Sequence, residues 1–316
     1  MSTLKVWGDD TYGQVSDAPD GHFKAIAGGS INGLALRRDG TPVLWGRSTA
    51  QLGAPPIPSA LAAEQFRAVA LGRDDAVLIR QDRSLAAYRP NVPVTSVPAG
   101  SYRAVTVAAV HAVAIANDGA LTAWGSDSFT LPDGSVVTGL LNAPEGRTFK
   151  EVEASVLYSL ARRENGTLYG WGHGAHGVNV IAGWTPTPED PAIAHLPGQT
   201  FKAIAAGNVH ALAIRPDGTV TGWGKASDPA LQAPEHIRFK AVAAGWGFSI
   251  GLQTDGTLWG WGKPVQVPVP GSAQAWTFAS VGWTRFADSE QYYVSGERFK
   301  SIAAAAFHVM AITAGD

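Results

Sequence analysis

The chain has 316 residues, of which only 16% are charged, and it is rich in Gly (37), Pro (20) and Trp (11) with no Cys. Its 24 Lys and Arg nearly balance 26 Asp and Glu, giving a formal charge of −2 without a long run of either sign; this excludes a strongly basic nucleic-acid or anionic-membrane binder, and the missing Cys excludes disulfides, Cys-ligated zinc and a thiol nucleophile. The composition instead suits many short strands joined by tight turns, an all-β chain.

The N-terminus, Met1-Ser2-Thr3-Leu4-Lys5-Val6-Trp7-Gly8, lacks an apolar stretch of signal-peptide length, and no window approaches the roughly 18 apolar residues of a membrane span. The expectation is a cytoplasmic protein that does not enter membranes, with an exported chain whose signal peptide has been removed as the alternative. Leu4-Lys5-Val6-Trp7-Gly8 reads as a strand with no hairpin of its own. Beyond it an aromatic residue followed by an alternating small and β-branched run recurs seven times, beginning at Phe23, Phe66, Tyr102, Phe149, Phe201, Phe239 and Phe299. After each of the first six copies comes a second apolar run, a turn and a third strand. The turn is Asp39-Gly40, Asp118-Gly119, Asn165-Gly166, Asp217-Gly218 or Asp255-Gly256 in five copies, dipeptides that supply the positive φ of a short hairpin loop. The third strand ends in Trp-Gly at Trp45, Trp124, Trp171, Trp223 and Trp261; the second copy departs, with Asp82-Arg83 at the turn and Tyr88 in place of Trp.

The seventh copy stops at Gly315-Asp316 without a third strand, and the orphan strand at the N-terminus is the missing piece. Successive anchors lie roughly 36 to 60 residues apart, and passing from Phe299 through the termini to Phe23 takes about 40, an ordinary repeat length. The spacing predicts a single domain over 1–316, a seven-bladed β-propeller closed by pairing the N-terminal strand with the C-terminal segment, which removes an exposed sheet edge. The longest interval is assigned to an insertion over about 263–298.

Strand direction alternates within a repeat, so the loops after the first strand and after Trp-Gly share one rim and the Asp-Gly hairpins share the other. The first rim varies from repeat to repeat, and variable loops on a rigid ring are where binding residues reside. It carries the candidate contacts Tyr12, Asp74, Asp75, Phe129, Tyr158, His173, His176, Asn208, Trp246, Phe248 and Phe307. Trp184, Trp246, Trp276 and Trp283 stand outside the repeat signature and are further contact candidates, whereas the repeat-locked Trp residues are assigned to packing between blades.

Ala205-Ala206-Gly207-Asn208-Val209-His210-Ala211-Leu212-Ala213-Ile214, followed by Asp217-Gly218-Thr219-Val220-Thr221-Gly222-Trp223-Gly224, resembles the regulator of chromosome condensation repeat, and Val110-His111 to Gly125 repeats the pattern. Within that superfamily, Trp7-Gly8-Asp9-Asp10-Thr11-Tyr12-Gly13-Gln14 is similar to the repeat of the bacterial β-lactamase inhibitor propeller. The resemblance implies the propeller fold and a rim that covers a partner protein, in the inhibitor's case to block it. Asn32, Asp75, His111, Tyr158, His210, Phe248 and His308 fall at one repeat position. Three His spread round a ring do not converge on one ion as zinc ligands must, so no metal site is assigned there, nor in the loop Gly172-His173-Gly174-Ala175-His176-Gly177. No nucleophile elbow, phosphate loop, carboxylate pair in a pocket-like context or His-Glu helix motif is present, so no catalytic residue and no cofactor is assigned. The expected function is a monomeric, non-catalytic protein-binding propeller whose loop rim binds or inhibits one partner. The alternative is a ligand- or carbohydrate-binding propeller, or a small-molecule enzyme, with its site at the central channel mouth.

Overall fold

The computed structural model describes residues 2–46, 57–73, 75–89, 97–172, 185–186, 193–224, 228–264, 277–287, 289 and 291–315. The seven aromatic anchors head seven antiparallel sheets. Sheet 1 is Phe23–Gly28, Asn32–Arg37 and Pro42–Gly46; sheet 2 is Phe66–Leu71, Ala76–Arg80 and Leu85–Tyr88; sheet 3 is Tyr102–Val107, His111–Ala116 and Leu121–Gly125. Sheet 4 is Phe149–Ala154, Tyr158–Arg163 and Leu168–Gly172, and sheet 5 is Ala203–Ala206, His210–Ile214 and Val220–Gly224. Sheet 6 is Phe239–Ala244, Phe248–Gln253 and Leu258–Gly262, and sheet 7 is Phe299–Ala304, His308–Thr313 and the N-terminal Leu4–Gly8. Leu4–Gly8 pairs from Leu4 opposite Ile312 to Gly8 opposite His308. Sheets 4 and 6 gain outer strands, Ile193–His195 with Thr185–Pro186, and Gln291–Tyr293 with Thr284–Arg285. Among the described residues no helix is long and apolar enough to cross a membrane.

The middle strands are short runs of small and branched residues, such as His210–Ile214, and they are buried along all but their last residue or throughout, because a neighbouring sheet covers each face. Each first strand packs on the first strand of the next sheet, from sheet 1 through to sheet 7 and from sheet 7 back to sheet 1. In six sheets the register slips directly after the anchor, as between Phe23 and Ala25, so that a basic residue (Lys24, Arg67, Arg103, Lys150, Lys240 or Lys300) bulges out into solvent while the aromatic ring stays buried.

The hairpins also join neighbouring sheets. The carbonyls of Gly40, Arg83, Gly119, Gly166, Gly218 and Gly256 accept the anchor N–H of the following sheet at 2.8–3.1 Å. In sheet 2 Arg83 stands where the others have Gly, and it adopts the same left-handed backbone at φ 72°. Sheet 7 has no such hairpin; there Ser2 O meets His22 Nδ1 at 2.8 Å, and Thr313 N donates to Thr3 O at 2.9 Å.

Sheet 2 also departs at the opposite end. Asp75 occupies the position that the other sheets give to Asn, His or an aromatic, Arg89 follows Tyr88 where they have Gly, and the two form an ion pair. The expected insertion is partly built into the core: Phe278, Trp283 and Tyr292 fill a cluster with Phe248, Phe299 and Trp7 between sheets 6 and 7. Trp283 is 4% exposed, with its ring 5.5 Å from Trp7 and 4.8 Å from Phe278, so it is a packing residue and not a surface contact.

Candidate functional site

The loop after the first strand is closed in all seven sheets by the same bond. The amide N–H of Gly29, Gly72, Ala108, Ser155, Gly207, Gly245 or Ala305 donates to the carbonyl three residues on, at 2.8–3.0 Å. The frame is therefore constant and the two residues inside it are free to vary: Ser30-Ile31, Ala109-Val110, Val156-Leu157, Asn208-Val209, Trp246-Gly247 and Ala306-Phe307. Further bonds knit these loops edge to edge. Asn208 N donates to Gly245 O at 3.4 Å, Trp246 N to Ala306 O at 3.1 Å and Ala306 N to Gly29 O at 3.1 Å, linking sheets 5, 6, 7 and 1.

This row brings Trp246, Ala306, Phe307 and Ile31 together with Tyr12 into one apolar cluster. Phe307 and Ile31 form its buried floor, Trp246 and Tyr12 are half-buried, and the Trp246 and Phe307 rings lie 5.3 Å apart. Tyr12 is held by its own turn. Asp9 accepts from Thr11 N at 3.0 Å, Thr11 Oγ1 at 3.1 Å and Gln14 Nε2 at 3.1 Å, while Gln14 Oε1 accepts from Tyr12 N at 2.7 Å. A fixed backbone under partly exposed aromatic rings loses little conformational freedom when a partner docks.

Of the residues expected on this rim, Tyr12, Asn208, Trp246 and Phe307 lie in that row of linked loops. Phe129 is half-buried elsewhere, packed with Val137, Leu140 and Leu157. Asp75 is tied to Arg89. Tyr158 and Phe248 are corrections, at 1% and 0% exposed. Both begin a middle strand, where the side chain points between sheets: the Tyr158 hydroxyl donates to Gly207 O and His210 O of sheet 5 at 2.8 and 2.7 Å, and the Phe248 ring lies over Gly245, where an added Cβ would stand 2.2 Å from it. Asp74, His173, His176, Trp184 and Trp276 lie outside the described residues.

The three ring histidines act at separate junctions. His111 Nε2 lies 2.8 Å from Ser159 Oγ and His210 Nε2 2.9 Å from Ser249 Oγ, each serine belonging to the following sheet. Ser249 Oγ donates onward to Ala230 O at 2.8 Å, so it accepts from His210, whose proton therefore sits on Nε2. His308 is fully buried with neither ring nitrogen bonded among the described residues. Burial lowers all three, to about 4 for His111 and His210 and about 3 for His308, and holds them neutral. Among the described residues no group of three or more His, Cys, Asp or Glu is placed to hold a metal ion. The repeat tryptophans clamp loops: the Nε1–H groups of Trp45, Trp171 and Trp261 donate to Gln14 O, Leu140 O and Ala230 O at 2.8, 3.0 and 2.8 Å, each carbonyl lying in the loop that leaves the preceding sheet. Sequence reading missed Ser159 and Ser249; the signal was a Ser directly after the ring position in the two sheets that follow His111 and His210.

Inside the first strands runs a central channel of about 380 Å³, lined largely by Ala, Gly and Val from all seven sheets. Its lining includes one carboxylate, Glu153, and one cation, Arg73, which stands in the rim loop.

Residues 239–265 match the regulator of chromosome condensation (RCC1) repeat family. The chain is 26% identical over 228 residues to the RCC1 domain-containing protein RUG3, mitochondrial, of Arabidopsis thaliana, covering 70% of this chain and 46% of that protein. It is 24% identical over 242 residues to the ultraviolet-B receptor UVR8 of the same plant, covering 66% and 55%. The chain thus spans about half the length of the curated relatives it matches. Among solved structures, Prp20p of Saccharomyces cerevisiae superposes with a TM-score of 0.73 at 14% identity, covering 99% of this chain and 91% of that one, and human WBSCR16 with 0.70 at 14%, covering 99% of each. These likenesses show the shared propeller fold. The relatives are eukaryotic and give no support to the expected bacterial, inhibitor-like character. The repeat match over 239–265, the two plant relatives and the full-length structural likeness support a chain that carries an RCC1 repeat and resembles the regulator of chromosome condensation repeat superfamily.

Proposed function

We propose that the chain is a seven-bladed propeller, closed by Leu4–Gly8 on His308–Thr313, that works without catalysis as a platform on which one partner protein docks across the loop rim. The observation that carries the reading is the cluster of Tyr12, Ile31, Trp246 and Phe307, built from loops of sheets 6, 7 and 1 and positioned by bonds that the repeat itself does not require. Large, partly exposed aromatic rings on a rigid frame are the usual anchors of protein interfaces. The superfamily offers support of the same kind, since Prp20p has binding properties toward Gsp1p and histones and has been seen in complex with Kap60.

The test compares proteins retained by the immobilised wild-type chain, by Trp246→Ala and by Asp217→Ala, whose side chain belongs to the opposite rim. The specific partner is retained by wild type and Asp217→Ala, and Trp246→Ala weakens it by more than about 2 kcal/mol, roughly 30-fold. Retention by Trp246→Ala together with loss by Asp217→Ala would place the interface on the hairpin side and overturn the reading.

A further inference from the structure

Counting from the aromatic anchor, the fifth residue is Ala in five sheets (Ala27, Ala70, Ala205, Ala243 and Ala303) and Thr106 in sheet 3, but in sheet 4 it is Glu153. The propeller does not require a carboxyl there. Its companion two residues earlier, Glu151, ties sheets 4 and 5 together, binding Arg162 Nε at 2.8 Å and accepting from Ile204 N of sheet 5 at 3.3 Å. Glu153 has no such role. Its carboxyl makes no hydrogen bond or ion pair among the described residues, it is half-buried, and it lines the channel. The nearby Tyr158 hydroxyl directs its proton to Gly207 O and His210 O instead.

We propose that the central channel is a binding site for a small organic cation, a primary ammonium on a slim apolar body, whose charge rests against the Glu153 carboxylate. The channel volume of about 380 Å³ falls within the range of small-ligand sites. Its Ala, Gly and Val walls suit an apolar stem. Each first strand lies at the edge of its sheet, so unpaired backbone carbonyls face the lumen and can accept the remaining ammonium protons. A single carboxylate satisfies an ammonium, whereas a metal ion would need several protein ligands that the described lining does not gather. In its ionised form the same carboxylate repels an anion.

Site and proton are coupled. Burial first, and the like charge of Glu151 second, push Glu153 up to about 8, so without a bound cation it is largely protonated at neutral pH. The other groups bearing on it are Tyr158, whose hydroxyl stays protonated, and Arg162, already engaged by Glu151; sheet 3 contributes Thr106, sheet 5 presents Ala203–Ala206, and Arg73 stands at the mouth. A cation that binds the ionised form therefore displaces a proton.

Calorimetric titration of the whole chain with n-butylammonium, and with n-butanol as its uncharged counterpart, in two buffers of different ionisation enthalpy, tests this. The expected result is ammonium binding with proton release, an affinity that rises towards tenfold per pH unit below about pH 8 and levels off above it, and weaker binding of butanol at every pH. Glu153→Ala, which restores the residue of five other sheets and so is expected to fold, lowers ammonium affinity at least tenfold at pH 8 and removes the pH dependence; Glu153→Gln does the same while keeping the shape. Equal binding of butylammonium and butanol, no ammonium binding at millimolar concentration, or an unchanged pH profile in both variants would overturn the proposal. The rim cluster is tested separately by partner retention: Trp246 and Ala306 border the channel mouth, but the Glu153 variants leave both unchanged.

Discussion

The two ends of the sheets use their titratable residues in opposite ways. At the hairpin end, Asp39, Asp82, Asp217 and Asp255 are exposed and bond only within their own turns, each accepting from the residue two positions on, as Asp217 does from Thr219 N at 2.9 Å and Thr219 Oγ1 at 2.6 Å. At the loop end, His111, His210 and His308 are buried between sheets, and two of them reach across to the next sheet. The hairpin carboxyls are held below their ordinary value by those turn bonds, and the histidines are pushed far below theirs by burial. An interaction closed within a turn stabilises that turn alone, whereas one that crosses a junction couples two sheets. Damage at the loop end and at the ring junctions should therefore propagate further than damage in a hairpin.

The junction between sheets 7 and 1 is the most exposed to such damage, because there a separate N-terminal strand does the work of a hairpin. Deleting residues 2–8 removes five paired positions, the half-buried Leu4, Val6 and Trp7 side chains, and the Ser2 carbonyl that meets His22. The loss is on the order of 5 kcal/mol from apolar burial alone, and it should lower the midpoint of the whole thermal transition. A deletion variant that unfolds at the wild-type temperature with unchanged cooperativity would disprove closure through this strand.

The loop-end histidines set the next largest effect. Their folded values lie below the ordinary 6.5, so the unfolded chain binds more protons as the pH falls past that point. The stability they contribute is complete above pH 6.5 and is lost from there down to about pH 4 for His111 and His210 and to about pH 3 for His308. Each costs about 1.4 kcal/mol per pH unit within its window, so the three together remove on the order of 5 kcal/mol by pH 5. Thermal scans between pH 7 and 4 should fall steeply, and His308→Asn, the residue sheet 1 places there, should make that fall shallower by about one proton. An unchanged slope would show that His308 does not titrate in this way.

The same contrast explains what the sequence revealed. Positive-φ dipeptides and aromatic anchors are local demands, so the seven sheets and their hairpins could be read directly from Phe23, Asp39-Gly40 and their repeats. The loop end was legible only in part. Trp246 was recognised as a residue the repeat does not demand, but the same reasoning misplaced Phe248, because its ring fills space beside Phe278, which arrives from some 30 residues further on, with centroids 6.0 Å apart. Tyr158 failed for a related reason: its partners belong to sheet 5. Glu153 gave no motif at all, being visible only as a departure from alanine once the seven first strands are aligned around a channel. Side chains whose environment is set by another sheet cannot be placed from their own repeat.

The smallest expected effect is at the hairpin end, and it is the sharpest test of the contrast. Asp217→Ala removes two hydrogen bonds, yet both are internal to the turn, the residue is exposed, and Gly218 keeps the left-handed backbone (φ 88°) that presents its carbonyl to Phe239 N at 2.8 Å. The link between sheets 5 and 6 therefore survives the substitution. Because the carboxyl is depressed, whatever it contributes is present above the ordinary carboxylate value of 3.8 and disappears as the pH falls through its lower folded value. The wild-type and variant melting temperatures should differ slightly at pH 7 and converge in stronger acid, where the large loss from the histidines is common to both proteins. A drop at pH 7 as large as that caused by deleting residues 2–8 would mean that the turn itself, and not its carbonyl bridge, holds the junction, and the distinction between the two ends would fail.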